Sequence, residues 1–131
     1  GLAARLAAER MGEPGKRAKV AAAQSQLKRA AHSEPALDYL DENDDFHRLI
    51  VDLAGNDVLG RQIAQLQLPT LRAAFFRLFD SAQRADSLSQ HRDILEAVAA
   101  GEPSRAERAM RLHVRGTIEI AQRLPEALFR Q

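Results

Sequence analysis

Apolar residues recur along this chain at three- and four-residue intervals, which is the spacing of amphipathic helices. Glycine and proline residues interrupt the pattern and divide it into about six predicted helices. The predicted ranges are 2–11, 16–31, 35–54, 57–82, 87–101 and 103 onward. Pro69 is expected to kink or split the fourth helix, a capping-box pattern at 87–90 to open the fifth, and Pro125 to bend or end the last.

The composition supports one fold class. The sequence has 24 Ala and 17 Leu against 5 Val, 5 Ile and 2 Thr, so good helix formers far outnumber β-branched residues. No stretch alternates with the two-residue period of a strand. Because the predicted loops are short, consecutive helices should pack as antiparallel neighbours. We therefore predict a single all-α domain over residues 1–131, built as an antiparallel bundle.

Charge and cysteine content exclude several classes of function. The 131-residue chain carries 19 Lys and Arg against 18 Asp and Glu, a formal charge of +1, which argues against nucleic-acid binding by this segment alone. Without cysteine it has no disulfide, thiolate nucleophile or cysteine-ligated zinc. No apolar run approaches the ~20 residues of a membrane span. The first residue is Gly rather than Met, from which we expect a fragment of a longer protein.

Three of the four histidines fall where the helical pattern calls for an apolar residue. The apolar stripe of the third predicted helix continues onto Asn43 and His47, which lie one turn apart on the inward face. His91 takes such a place in the fifth predicted helix, and His113 in the last. Only His32 lies outside these stripes.

Inward histidines have two interpretations. A single one is usually a core residue with its own polar partner, and three would need three such partners, because an unpaired buried polar group costs about 1–3 kcal/mol. One shared cation would satisfy all three, since neutral imidazole is the commonest metal ligand and an asparagine oxygen can supply a fourth. The register leaves both open: separate core histidines, or one metal site of Asn43, His47, His91 and His113.

Three blocks of the sequence resemble the signatures of one protein family. The first is NDDFHRLI at 43–50 followed by AGN at 54–56, the second is SLSQHRDILEA at 87–97, and the third runs from Gly101 through Met110 to His113. In this order they resemble the FCD domain, the C-terminal effector-binding domain of FadR-type regulators in the GntR family of bacterial transcription factors. The resemblance covers essentially the whole chain.

The resemblance implies a bundle of six or seven helices behind an N-terminal winged helix-turn-helix, which we expect to be absent from this chain. It also implies a site in which an aspartate and three histidines hold a divalent ion, usually zinc or nickel. The histidine positions fall on His47, His91 and His113, but the aspartate position falls on Asn43. A neutral amide is a weaker ligand than a carboxylate, so metal affinity should drop or rely more on the charge of a bound effector. Asp44 is one position out of register.

The family's role implies that the metal is a docking point for a small carboxylate effector, such as a hydroxy acid or sugar acid, and not a catalyst. Ser87 matches a serine usual in the family, although its position also suits a helix N-cap. Arg72 is either a clamp for the effector carboxylate or a surface arginine. The resemblance further implies a cytoplasmic homodimer that contacts DNA only through its N-terminal domain and no membrane. The acidic run 41–45, apart from Asn43, is expected to be mainly a solvated helix face.

Other functions stay open at this point. A mononuclear metalloenzyme, either a hydrolase or a lyase, would also use three nitrogen ligands and an open coordination position. However, no glutamate adjoins a ligand in an HExxH pattern, and Glu96 lies five residues past His91. A di-iron bundle would need two Glu-x-x-His motifs, which the sequence lacks. An FCD domain that binds lipid-like ligands without metal would have no use for three inward histidines.

Overall fold

The computed structural model describes residues 1–30, 36–66 and 79–122. These residues form six helices: α1 Leu2–Glu9, α2 Lys16–Ala30, α3 Ala36–Ala54, α4 Asp57–Leu66, α5 Ser81–Ala99 and α6 Pro103–Gln122. No strand occurs within these ranges, which confirms the predicted all-α fold class. None of the helices described there is both long enough and apolar enough to cross a membrane.

The short helix α1 lies in the middle of the bundle, where it contacts α3, α5 and α6. Its buried side chains are all alanines: Ala3, Ala4, Ala7 and Ala8. Small side chains on a helix surface let neighbouring helices approach closely. The largest fully buried apolar side chains of α3 and α5 are Ile50 and Leu53 of α3 and Ile94, Leu95 and Val98 of α5. The alanine face of α1 therefore lets the three helices that carry the inward histidines pack closely around it.

Two glycine turns end the histidine-bearing helices α3 and α5. Gly55 (φ 56°) follows α3, and Gly101 (φ 67°) joins α5 to α6. Glycine adopts this left-handed conformation without the steric cost of a Cβ atom. Basic side chains then cover the end of α3, because Arg10 donates to the Gly55 carbonyl at 2.9 Å and Lys16 to the Leu53 carbonyl at 2.7 Å. Cations at this end complement the helix dipole and fix α3 against α1 and α2.

The N-terminus of α5 differs from the prediction. The helix begins at Ser81, six residues before the predicted capping box at 87–90. Asp80 is the N-cap: its Oδ1 accepts from the Gln83 backbone N–H at 2.8 Å, and Gln83 Oε1 accepts from the Asp80 backbone N–H at 3.0 Å. Two capping-box patterns follow each other in this segment, and the earlier one is used. Ser87 is therefore not an N-cap but a buried residue inside α5.

The fourth predicted helix is also too long at its C-terminal end. The range 57–82 is not one helix, because residues 79 and 80 are not helical and Ser81 begins α5. Pro69, expected to kink or split this helix, lies outside the described residues. The ends of the other predicted helices differ from those observed by one or two residues, or fall at positions outside the described residues.

Removing the α5 cap should destabilise the domain. Asp80→Ala is expected to lower the free energy of unfolding by about 1 kcal/mol, because the backbone N–H of Gln83 loses its acceptor. Urea unfolding measures the change. The control is Asp93→Ala, which removes an exposed aspartate from the interior of the same helix and should not lower stability. Equal stability of the Asp80→Ala variant and the wild type would contradict this account of the helix start.

Candidate metal centre

Three helices from distant parts of the sequence bring one imidazole each to a common point. His47 comes from α3, His91 from α5 and His113 from α6, and one ring nitrogen of each lies within 4.8 Å of the other two. His113 Nε2 lies 3.3 Å from His91 Nε2 and 3.4 Å from His47 Nε2. His91 and His113 are buried, and His47 is half-buried. The structure thus brings together the three histidines singled out by the helical register.

The opposite ring nitrogens of two of these histidines already have partners. His91 Nδ1 lies 3.2 Å from Glu42 Oε1, and His113 Nδ1 lies 2.8 Å from Gln90 Oε1. Carboxylate and amide oxygens accept hydrogen bonds, so both Nδ1 atoms act as donors and both Nε2 atoms carry lone pairs. The two lone pairs therefore face each other across 3.3 Å. This arrangement is repulsive by itself, and a cation bound to both nitrogens would relieve it.

Burial keeps all three imidazoles in the neutral form that binds metals. Desolvation lowers the pKa of His47 and of His91 to about 3 and that of His113 to about 4. Charge repulsion from the neighbouring imidazoles accounts for a smaller part of this lowering at His47 and His113. The same burial raises the pKa of Glu42 to about 7, with a smaller contribution from Asp45. At neutral pH no proton has to leave the imidazoles before a metal ion binds.

The separations of His113 Nε2 from the other two Nε2 atoms fit a shared ion. Two imidazole nitrogens that each lie about 2.1 Å from one ion are about 3.0–3.4 Å apart at coordination angles of about 90–110°. The observed separations of 3.3 Å and 3.4 Å fall in this range. Imidazole nitrogens that also hydrogen-bond through their other ring atom are typical of metal ligands. The residues present therefore fit a divalent transition metal.

Asn43 is buried one turn before His47 with its amide unused. The residue is 1% exposed, and neither Oδ1 nor Nδ2 has a hydrogen-bond partner within the described ranges. An unpaired buried polar group costs about 1–3 kcal/mol, so the amide needs a partner that lies outside the described protein groups. The side-chain oxygen is available as a fourth ligand. Its role as a ligand, like those of the three histidines, stays a prediction.

Phe46 forms an apolar wall at this centre. Its ring stacks on His91 with 3.8 Å between centroids and 13° between planes. It meets His47 edge-on at 5.0 Å. This packing fixes the orientation of the His91 ring and keeps water from one of its faces.

Glu42 is a buried exception in the acidic run 41–45, which was expected to be mainly a solvated helix face apart from Asn43. Its side chain is only 10% exposed and contacts His91. A signal for this position exists, because Glu42, Phe46, Ile50 and Leu53 follow one another at helical spacing. Gln90, an exposed residue next to His91, gave no such signal, and its contact with His113 depends on how α5 and α6 meet.

The two predicted effector residues have different outcomes. Ser87 is buried in α5, one turn before His91. Arg72 lies outside the described residues. Sequence reasoning also did not single out Arg84, one turn before Ser87, whose Nε is buried without a hydrogen-bond partner in the described part of the chain. Arg84, Ser87 and His91 thus lie along one face of α5.

A groove of about 620 Å³ runs between α2 and α3. Glu42 and Phe46 both line this groove and both contact His91, whereas none of the three imidazoles is among its described lining residues. These two side chains therefore stand between the groove and the metal centre.

The family model described as the FCD domain matches residues 1–116. The match covers all three imidazoles, Asn43 and Glu42. Comparisons with curated proteins and with solved structures each gave no match.

The metal-free domain should lose stability as the pH falls from about 7 to about 5. Because burial lowers the three histidine pKa values, the unfolded chain binds more protons than the folded chain below about pH 6.5. Each histidine contributes up to about 1.4 kcal/mol per pH unit. Glu42 offsets roughly the contribution of one histidine. Its pKa is raised by burial, so as the pH falls the folded chain protonates Glu42 before the unfolded chain does.

Urea unfolding with a chelator present, at several pH values across this range, measures the trend. A free energy of unfolding that stays constant or increases as the pH falls would contradict neutral burial of the three imidazoles.

Proposed function

The chain belongs to the FCD domain family, and from this premise we propose that it is a metal-dependent effector-sensing domain of a GntR-family transcriptional regulator. The family is one of regulatory domains, which favours binding over catalysis. The observation that carries the proposal is the meeting of three neutral imidazoles whose ring nitrogens fit one ion. The effector class that such a centre suits best is a small organic or sugar acid.

His47, His91 and His113 would hold the ion through Nε2, and Asn43 would add its amide oxygen. Nitrogen ligands with one neutral oxygen suit zinc or nickel. When bound, the ion supplies open coordination positions that accept carboxylate oxygens. The chain's own residues prepare the site: Glu42 and Gln90 hold two imidazoles with their lone pairs inward, and Phe46 shields His91 from water.

The effector's other groups need polar side chains beside the imidazoles. We propose Ser87, buried one turn before His91, as a hydrogen-bonding group for the effector. Arg84 continues this face of α5, and its buried, unpaired Nε suits a carboxylate oxygen. Arg72, the predicted clamp, stays a prediction.

An effector signals only if it binds one arrangement of the regulator more tightly than another. We propose that the intact regulator is a cytoplasmic homodimer in which effector binding changes how the paired N-terminal DNA-binding domains are held. In that case the FCD domain contacts the effector and the second copy, DNA binds only the N-terminal domain, and no membrane is involved.

A mononuclear hydrolase or lyase is the alternative that uses the same ligands. It would need a general base beside the open coordination position. Within the described ranges, the group of side chains that could hold a metal consists of His47, His91 and His113 and includes no carboxylate. Glu42 Oε1 is in contact with the outer nitrogen of His91, and Glu96 is exposed and pairs with Arg105 at 3.0 Å. The geometry therefore favours a sensor over an enzyme.

The purified protein should bind one zinc or nickel ion through the three imidazoles. His91→Ala and His113→Ala are each expected to weaken binding more than about 100-fold, beyond the effect of losing an outer partner, because each removes a direct ligand. Competition with a chromophoric chelator measures the affinity. The control is His32→Ala, which removes the fourth histidine and should leave the affinity unchanged. A similar small loss in all three variants would contradict a shared site.

Organic acids should bind only to the metal-loaded protein. Isothermal calorimetry with a panel of hydroxy acids, dicarboxylates and sugar acids is expected to give heat of binding for some of them, and a chelator should abolish it. The physical reason is that the acid's oxygens fill coordination positions of the ion. Binding of the best acid at full strength in the presence of chelator would refute docking through the metal. A hydrolysed or cleaved acid would instead favour the enzyme.

A further inference from the structure

Glu42 stands apart from the other acidic residues in the run 41–45. Its side chain is 10% exposed, against 38% for Asp44 and 62% for Asp45. Its Oε1 lies 3.2 Å from His91 Nδ1. Its Oε2 is buried without a hydrogen-bond partner within the described ranges. One oxygen of this buried carboxyl group thus contacts an imidazole, and the other is unused.

The fold by itself gives little reason for a carboxyl group at this place. A buried carboxylate is costly unless hydrogen-bond donors or a positive charge compensate for its lost solvation. The cationic residues among the described groove-lining positions, Lys19 and Arg48, pair with other carboxylates: Lys19 with Asp52 and Arg48 with Asp44 and Asp45. The position of Glu42 is explained if the compensating charge is an ion held on the other side of His91.

We propose that Glu42 is a positioning residue of the metal centre. Its contact holds His91 as the tautomer with the proton on Nδ1, so that the Nε2 lone pair points to the ion. When ionised, it also places a negative charge directly behind one ligand, next to three neutral imidazoles and a neutral amide. A carboxylate in this outer position raises the basicity of the imidazole and the affinity for the metal. The inference rests on the proposed function, because it requires that the three histidines bind an ion.

Glu42 and Gln90 are not equivalent in this role. Gln90 accepts from His113 Nδ1 at 2.8 Å and can hold that ring in the same tautomer, but it is exposed and carries no charge. Among the contacts described at this centre, Glu42 alone combines a hydrogen bond to a ligand with a carboxylate. The charge, and not only the hydrogen bond, should therefore matter at His91.

The first test is the zinc affinity of the whole chain, measured by competition with a chromophoric chelator. Glu42→Gln keeps the size of the side chain but removes its charge, and we expect zinc to bind about 10–100-fold more weakly. The matched control is Asp45→Asn, which removes an exposed carboxylate one turn away from Glu42. Screening by solvent should limit its effect to less than about 3-fold. Circular dichroism checks that both variants are folded.

A second test needs no metal. Proton–nitrogen correlation spectra of the metal-free wild type are expected to show His91 protonated at Nδ1. Glu42→Leu removes the acceptor and should shift His91 towards the Nε2-protonated form. His113, whose partner is Gln90, serves as the internal control and should keep its tautomer.

The outcomes separate this inference from the proposed function. If the wild type binds zinc and Glu42→Gln binds it as tightly as Asp45→Asn does, the role of Glu42 is overturned and the metal centre stands. A metal-free wild type with His91 protonated at Nε2 also overturns it. If the wild type binds neither zinc nor nickel, the proposed function itself fails, and the inference with it.

Discussion

The close approach of three imidazole nitrogens is the interaction on which the rest of this structure depends. Nε2 of His113 lies 3.3 Å from that of His91 and 3.4 Å from that of His47. Hydrogen bonds at the outer nitrogens of His91 and His113 turn their lone pairs inward, where they repel each other. The packing of α3, α5 and α6 around the alanine face of α1 holds the rings in this arrangement. The fold thus maintains a geometry that becomes favourable when a cation is shared.

This arrangement also links binding to stability. Three imidazoles and the Asn43 amide take places in the helical pattern that apolar side chains would otherwise fill, so the metal-free core loses some hydrophobic stabilisation. An ion that binds only the folded chain returns stability in proportion to its affinity. Because the ligands come from three helices, the same ion restrains how those helices sit relative to one another. In the proposed sensor, this restraint is the physical connection between an occupied centre and the rest of the regulator.

The sequence predicted the fold class and the three imidazoles because both depend on the helical period, which fixes the face of the helix on which a residue lies. His91 follows this rule and is fully buried. Features that depend on how helices meet were not predictable in this way. Gln90 reaches His113 across two helices. Glu42 does follow the helical period of Phe46 and Ile50, but it lies in a run of acidic residues that are mostly exposed, and that run obscures the signal. The start of α5 was misplaced because two capping patterns lie close together and the sequence alone does not rank them.

The charges at the centre connect its structure to the kind of effector proposed. The three imidazoles are neutral, since burial keeps the pKa of each well below its ordinary value, and the Asn43 amide is neutral as well. A divalent ion on these ligands would keep most of its charge, offset in part by the Glu42 carboxylate behind His91. An aspartate in place of Asn43 would neutralise more of the ion's charge, because a carboxylate of the protein would then coordinate the ion. The neutral amide leaves the ion's positive charge available to attract an anionic ligand. A small carboxylic acid is therefore the ligand whose charge best completes the site.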